Sequence, residues 1–184
     1  MQLPLDDYGV GAALATDLVN TAPDVMRSTG DTLPDIAALA RFLFDHDVHP
    51  AAGEPTPADL DAVHDLRRRL RALLESPDPA AAAAFTGATG GLELHRDPNG
   101  HWQWQVRSRP GASLADELAL LTGTAVLAVL RALGPDRFRH CAAPTCAGMF
   151  VDTSRASRRR YCVPEVCGNR VNVAAHRARR RAAG

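Results

Sequence analysis

Four cysteines constrain this 184-residue chain more than any other feature, because all of them lie in its last 44 residues. They are Cys141, Cys146, Cys162 and Cys167, and their spacing is C-x4-C-x15-C-x4-C. Zinc prefers four tetrahedral ligands, and two thiolate pairs joined by a longer loop can surround one ion. A segment this short buries too little apolar surface to fold alone. The spacing therefore predicts one closed, structural zinc site, without an open position for catalysis, in a segment whose fold depends on the metal.

Two other uses of the cysteines stay open. An even cysteine count is also typical of the disulfides of secreted proteins. The chain begins with acidic residues, Asp6 and Asp7, where a secretion signal carries basic residues before an apolar stretch, so we expect a cytoplasmic protein. A redox centre is the weaker alternative, because the sequence contains no Cys-x-x-Cys. The longest uncharged apolar stretch, 13 residues from 118 to 130, is shorter than a membrane span.

The net charge of zero hides two unlike parts of the chain. Residues 1–134 carry 10 arginines and 18 acidic residues, a net charge of −8, whereas residues 135–184 carry 11 arginines and three acidic residues, a net charge of +8. The sign changes at Gly134 and Pro135, which also end a long apolar stretch. This predicts an N-terminal domain in residues 1–134 and a basic domain in residues 135–184.

The N-terminal domain is predicted to be mainly helical. Apolar spacing indicates helices in residues 14–21 and 34–45, and cap signals place further helix starts at Thr56 and Ser113. The last of these helices is apolar on all sides, so we expect it at the centre of the core. The arginine run at 67–71 is expected on a solvated helix face.

Residues 91–107 interrupt the helices with alternating apolar and polar residues around an Asn-Gly pair, which predicts a β-hairpin. Trp102 and Trp104 share one face of its second strand, where they form part of the core or line an apolar pocket. The predicted fold class is therefore α+β. It comprises a mainly helical domain with a small antiparallel hairpin, followed by a small four-cysteine zinc finger, of treble-clef or ribbon type, that ends in a helix.

The basic domain carries its arginines in the loop between the cysteine pairs and in the segment after Cys167. That segment predicts a helix in which Val171, Ala175, Ala178 and Ala182 pack on the zinc ribbon while the arginines face outward. Guanidinium groups suit phosphate and base edges, and aromatic stacking residues are scarce, so duplex DNA is the expected partner. The candidate DNA-binding residues are Arg155, Arg158, Arg159, Arg160, Arg170, Arg177, Arg180 and Arg181.

The same residues resemble the CGNR zinc-finger family. The letters CGNR stand at 167–170, FVDTSR at 150–155 and RRYC at 159–162, and all three are similar to signatures of that family. Residues 14–21 resemble the leading motif of the ABATE domain, which precedes this finger in stress-induced transcription regulators. The resemblance implies that the four cysteines bind zinc and that the finger binds DNA.

These observations favour a DNA-binding transcription regulator whose N-terminal domain senses a small molecule or forms a homodimer. The alternative is a protein-interaction module whose basic finger docks on an acidic partner or on its own N-terminal domain. An enzyme is not expected, because nucleophile, phosphate-loop and deaminase motifs are absent. Asn20, Trp102 and Trp104 are the candidates for contacts to a small ligand.

Overall fold

The computed structural model describes residues 2–4, 8–26, 29–51, 53–86, 90–96 and 98–182. Its fold is α+β and mainly helical. In chain order the elements are β1 (Gln2–Pro4), α1 (Tyr8–Asn20), α2 (Ile36–Asp45), α3 (Pro57–Glu75), α4 (Pro79–Thr86), β2 (Gly90–Arg96), β3 (Trp102–Ser108), α5 (Leu114–Leu133), β4 (Phe138–His140), β5 (Met149–Val151) and α6 (Asn169–Ala182).

The predicted helix starts are confirmed at two capping boxes. Thr56 accepts from the backbone N–H of Asp59 at 3.3 Å, and the Asp59 carboxylate accepts from the Thr56 N–H at 2.9 Å. Ser113 and Asp116 repeat this exchange at the start of α5. Each box satisfies backbone donors that have no partner within the helix, so these ends are determined by local sequence.

Helix α5 forms the centre of the core, as its apolar composition predicts. It packs against α1, α3 and α4. Close approach to α4 requires a glycine, because a Cβ at Gly123 would lie 2.7 Å from the Cβ of Phe85. The buried residues of α5 include Leu118, Leu121, Ala125, Val126 and Val129.

The sheet has the order β1-β3-β2, with both pairs antiparallel, and so contains the predicted hairpin. Trp102 is 60% exposed, so the prediction that it belongs to the core is wrong. The Arg96 guanidinium lies 4.4 Å from the centre of a Trp102 ring, which lets the indole remain at the surface against a cation. The side chain of Trp104 lies outside the described part of the chain.

The arginine run of α3 is only partly solvated: Arg68 and Arg69 are exposed and Arg71 is half-buried, but Arg67 is buried, against the prediction. Arg67 is only 7% exposed, and its two terminal nitrogens bind the two carboxylate oxygens of Asp31 at 2.9 and 2.8 Å. A third hydrogen bond joins Arg67 to the Thr21 hydroxyl at 3.0 Å. The Arg67 hydrogen bonds hold the pKa of Asp31 below its usual value. The pair anchors the segment after α1 to α3.

The core does not end at the predicted domain boundary. Strands β4 and β5 form an antiparallel hairpin, in which Phe138 pairs with Val151 and His140 pairs with Met149. Met149 and Val151 are buried in the same apolar cluster as α1, α3 and α5. Strand β5, the second strand of this hairpin, is therefore part of the N-terminal core.

Among the described helices, none is long and apolar enough to cross a membrane.

Candidate metal centre and basic surface

The sulfur atoms of the four cysteines form one cluster. Each Sγ atom lies within 4.8 Å of the others, with Cys146 and Cys162 3.5 Å apart and Cys162 and Cys167 3.8 Å apart. Cys141 follows β4, Cys146 precedes β5, Cys162 ends the long loop, and Cys167 lies in the turn before α6. Cys146 is half-buried and the other three are buried. Two turns and one loop thus bring the predicted ligand set together.

The backbone around Gly148 shapes one side of this cluster. Its N–H donates to the Cys146 sulfur at 3.3 Å, and its carbonyl accepts from the Cys141 N–H at 2.8 Å. A Cβ at Gly148 would lie 2.7 Å from the Cys162 sulfur and 3.1 Å from the Cys146 sulfur. Only a residue without a side chain fits here without displacing a ligand sulfur.

The chemistry of the cluster fits one structural zinc ion. Burial, reinforced by the neighbouring sulfurs, raises the pKa of Cys162 far above its usual value and that of Cys167 to about 11. Burial also opposes ionisation of Cys141, but hydrogen bonds from backbone N–H groups and from neighbouring thiols lower its pKa. Several thiolates this close together require a cation between them, and four sulfurs complete the coordination shell that zinc prefers. When bound, the ion would hold the two cysteine pairs together.

Asp152 organises the long loop between the cysteine pairs. The residue is fully buried, and its carboxylate accepts from the Ser154 backbone and hydroxyl, from the Arg159 backbone at 3.2 Å and from the Arg139 guanidinium at 3.3 Å. Burial raises the pKa of Asp152, but these hydrogen bonds and the Arg139 charge together bring it below its usual value. One of the three acidic residues in the stretch 135–184 is thereby withdrawn from the surface.

Arg159 is among the arginines predicted to bind DNA, but the structure places it within the finger. Its Nε donates to the Tyr161 carbonyl at 3.0 Å and its Nη2 donates to the Cys162 carbonyl. The guanidinium also lies 4.9 Å from the centre of the Phe150 ring. These contacts fix the backbone at a ligand cysteine, so Arg159 stabilises the metal centre.

The remaining arginines of the predicted set are exposed, and a further exposed arginine, Arg179, belongs with them. Arg170 donates to the Met26 sulfur at 2.9 Å, so it lies where α6 meets the segment after α1. We use the term basic surface for the exposed arginines of the long loop and of α6, which are Arg155, Arg158, Arg160, Arg170, Arg177, Arg179, Arg180 and Arg181.

Helix α6 differs from the prediction in its packing. Val171 is half-buried against the cysteine cluster, but Ala175, Ala178 and Ala182 are exposed, so the expected alanine stripe does not pack on the finger. Among the apolar side chains of α6, Val171 in the first turn is the one packed against the cysteine cluster. Beyond it, the helix presents its arginines without an acidic residue of its own.

Two families match the chain. The sequence profile of the CGNR zinc finger matches residues 137–180. The profile of the ABATE domain, which is described as "Putative stress-induced transcription regulator", matches residues 12–135, more than half of the chain. The chain belongs to the ABATE family. Its cysteine cluster lies within the matched zinc finger. A search of curated proteins finds no match.

The ABATE region holds the finger through two side chains one helical turn apart on α1. The Asn20 amide donates to the Met149 carbonyl at 2.7 Å and accepts from the Met149 N–H at 2.9 Å. The Thr16 hydroxyl accepts from the Val151 N–H at 3.0 Å. Side chains of α1 thus take the place of a third strand beside β5. The sequence offers Asn20 as a ligand contact, but both ends of its amide are bonded to the finger.

The sequence alone does not show that Thr16 anchors β5 or that Asp152 organises the long loop. The Thr16 partner, Val151, is distant in sequence, and the Asp152 contacts depend on the path of the loop. The spacing of residues gives no signal for either role. Asn20 differs, because a polar side chain at a helix end is itself a signal in the sequence.

The finger also contacts the segment after α1, where the Ala147 N–H donates to the Val25 carbonyl at 3.0 Å.

Proposed function

We propose that this ABATE protein is a zinc-dependent transcription regulator whose basic surface binds duplex DNA. The observation that carries the proposal is helix α6, which is exposed from its second turn onward and combines five arginines with no acidic residue. Its position just after the ligand residue Cys167 supports the proposal, because a bound metal would fix the start of the helix. Guanidinium groups along an exposed helix suit phosphates and the base edges of a major groove.

The internal use of some arginines also supports this function. Arg137, Arg139 and Arg159 donate to carbonyl or carboxylate oxygens of the finger, so they build the loop that presents Arg155, Arg158 and Arg160. Two sets of exposed arginines then flank one metal centre. With four thiolates and Zn²⁺, the net charge of residues 135–184 changes from +8 to +6, which still favours a polyanion.

We propose different roles for the two parts of the chain. Residues 135–184 contact DNA, and residues 1–134 sense a small molecule or form a homodimer. The finger contacts its own N-terminal domain mainly through β5, whose buried Met149 and Val151 and backbone groups make the contact. Most of the basic surface is left exposed by this packing, which favours an external partner over docking on the protein's own acidic domain.

Salt dependence tests the proposal directly. The zinc-loaded full-length protein is titrated into a pool of random-sequence DNA duplexes, and binding is measured by fluorescence anisotropy at several salt concentrations. We expect affinity to fall steeply with salt, because each neutralised phosphate releases counterions. Changing Arg177→Gln together with Arg181→Gln should reduce the slope of log K against log salt by about 2.

The matched control is Arg41→Gln together with Arg131→Gln. Both are exposed arginines on helices of the N-terminal domain, so the pair removes the same charge away from the basic surface. We expect this control to leave the slope unchanged. Salt-independent binding, or no binding at low salt, would contradict DNA recognition and would make an acidic protein the better candidate for the partner.

A further inference from the structure

A cleft of about 410 Å³ lies between the end of α1 with the segment that follows it and one face of α3. Its volume is in the range of small-molecule sites, and its walls differ in chemistry. One wall is apolar and consists of Val19, Ala22, Pro23 and Val25, while α3 supplies Arg67, Arg68 and Arg71 opposite. Asp24 also lines the cleft and is exposed.

The guanidinium wall retains donors for a ligand. The Nε of Arg67 is buried and has no hydrogen-bond partner among the described residues, although its terminal nitrogens bind Asp31. A buried N–H without a partner is costly, but this atom has almost no exposed surface, so the donors that a ligand can reach are those of Arg68 and Arg71. The Nη2 of Arg68 lies 2.7 Å from an Asp65 carboxylate oxygen, and the Nε of Arg71 lies 2.7 Å from a Glu75 carboxylate oxygen. A guanidinium has five N–H donors, so each retains others.

Asp65 and Glu75 compete only weakly with a bound anion for the guanidinium groups of Arg68 and Arg71. The Asp65 and Glu75 side chains are 54% and 46% exposed, and exposed pairs of this kind contribute little free energy. Three arginines and one acidic residue line the cleft, and Arg67 is already paired with Asp31. The two other guanidinium groups against the single Asp24 carboxylate leave an excess of one positive charge, which favours a ligand with one negative charge. The apolar wall requires a hydrophobic body next to that charge.

We propose that this cleft binds a small monocarboxylic acid with an apolar body. The carboxylate contacts the α3 arginines, and the apolar body packs on the wall that follows α1. Arg67 stays paired with Asp31 and is not a ligand donor. The ligand class follows from the combination of an apolar wall and a row of guanidinium groups.

The same wall connects this cleft to the zinc finger. Asp24 and Val25 also line a second cleft, of about 770 Å³, whose other side is formed by finger residues that include Cys146, Ala147 and Arg170. The Val25 carbonyl accepts from the Ala147 N–H, one residue from a metal ligand. A ligand packed against Val25 therefore acts on the segment that contacts the finger. This regulatory part rests on the proposed function, whereas binding of the acid does not.

Isothermal titration of the zinc-loaded full-length protein tests the site, with phenylacetate as the probe. Phenylacetamide keeps the apolar body without the charge, and acetate keeps the charge without the body. We expect phenylacetate to bind at least about tenfold more tightly than either, the effect of one charge-assisted hydrogen bond or one well-buried apolar group. Equal affinity for acid and amide, or no binding of phenylacetate, would overturn the proposal.

Variants of α3 locate the site. Arg71→Met should weaken phenylacetate binding by about tenfold, because it removes a guanidinium from the cleft while retaining the aliphatic stem. Arg69→Met is the matched control: Arg69 lies on the same helix but stacks on the Phe85 ring, 5.0 Å from its centre, and does not line the cleft. Equal losses in both variants would contradict the assignment.

The amide resonance of Ala147 reports on the connection to the finger. We expect phenylacetate to shift that resonance in the wild-type protein, and to shift it far less in Arg71→Met at the same concentration. Binding that leaves Ala147 unperturbed would overturn the regulatory part. These measurements contain no DNA, so a failure of DNA recognition and a failure of the acid site are distinguishable.

Discussion

At the scale of single residues, Gly148 links the metal centre to the ABATE helix. A Cβ at this position would meet the Cys162 sulfur at 2.7 Å and the Asn20 side-chain oxygen at 2.9 Å. Both distances are shorter than van der Waals contact allows. The constraint comes from the surroundings, because the backbone here is not in the left-handed region. Gly148 thus packs against both a metal ligand, Cys162, and the side chain that anchors the finger to α1, Asn20.

Replacing Gly148→Ala should weaken zinc binding by about 10- to 100-fold, the usual loss when the groups that orient ligands are disturbed. The added methyl pushes a ligand sulfur out of place. Competition with a chromophoric chelator measures the affinity. Gly91→Ala is the control, since a Cβ there meets nothing within 4 Å. Zinc affinity unchanged by Gly148→Ala would contradict the close packing described here.

At the scale of elements, β5 is stabilised by side chains on one edge and by β4 on the other. An edge strand exposes N–H and C=O groups that need partners when they are buried. Asn20 supplies one donor and one acceptor to Met149, and Thr16 supplies an acceptor to Val151. The contact between α1 and the finger therefore has a defined register and is more than apolar packing.

Asn20→Asp tests this register with a nearly isosteric change. One carboxylate oxygen still accepts from the Met149 N–H, but the other replaces the donor and faces the Met149 carbonyl. We expect a loss of about 2 kcal/mol or more in the free energy of unfolding, because a buried acceptor loses its partner and a charge is introduced. Urea denaturation measures it. Asn172→Asp, on the exposed α6, provides the control, and an equal loss there would argue against the anchor.

The elements themselves differ in how far sequence predicts them. Helices α3 and α5 begin at capping boxes, in which both partners lie within four residues, so their starts follow from local sequence. Helix α4 is a short alanine-rich segment without apolar periodicity, and β1 has only three residues and pairs with β3. Sequence patterns predict neither, because α4 is stabilised by packing on α5 and β1 by a partner distant in the chain.

At the scale of the whole molecule, the metal centre and the N-terminal core share a strand. Met149 and Val151 are buried with the helices, while Phe150 between them is buried with the cysteines. Alternation of side chains along a strand places neighbours on opposite faces, so one three-residue strand serves two clusters. Loss of order at the metal centre would therefore expose part of the N-terminal core.

Removal of zinc should lower the stability of the entire chain, and the loss should not be confined to residues 135–184. Releasing Met149 and Val151 costs roughly 3 kcal/mol or more of apolar burial, which corresponds to a fall in Tm of about 6 °C or more for a chain of this size. Calorimetry with and without a strong chelator measures this shift, and added zinc should reverse it. An unshifted helical transition alongside separate melting of the finger would contradict the shared core.

The sequence by itself determined the features that depend on neighbours along the chain. These are the helix caps, the central apolar helix, the hairpin turn, the change of charge sign and the ligand set implied by the cysteine spacing. Tertiary structure alone decided which arginines are exposed and which residue hydrogen-bonds to Asn20. Arg67 and Arg159 match the exposed arginines in chemistry. The fold brings the distant Asp31 carboxylate to Arg67, whereas the path of the loop turns the nearby Tyr161 and Cys162 carbonyls towards Arg159. Burial and partnership across 36 residues or more, as for Arg67 with Asp31 and Asn20 with Met149, depend on packing in three dimensions, which no local pattern records.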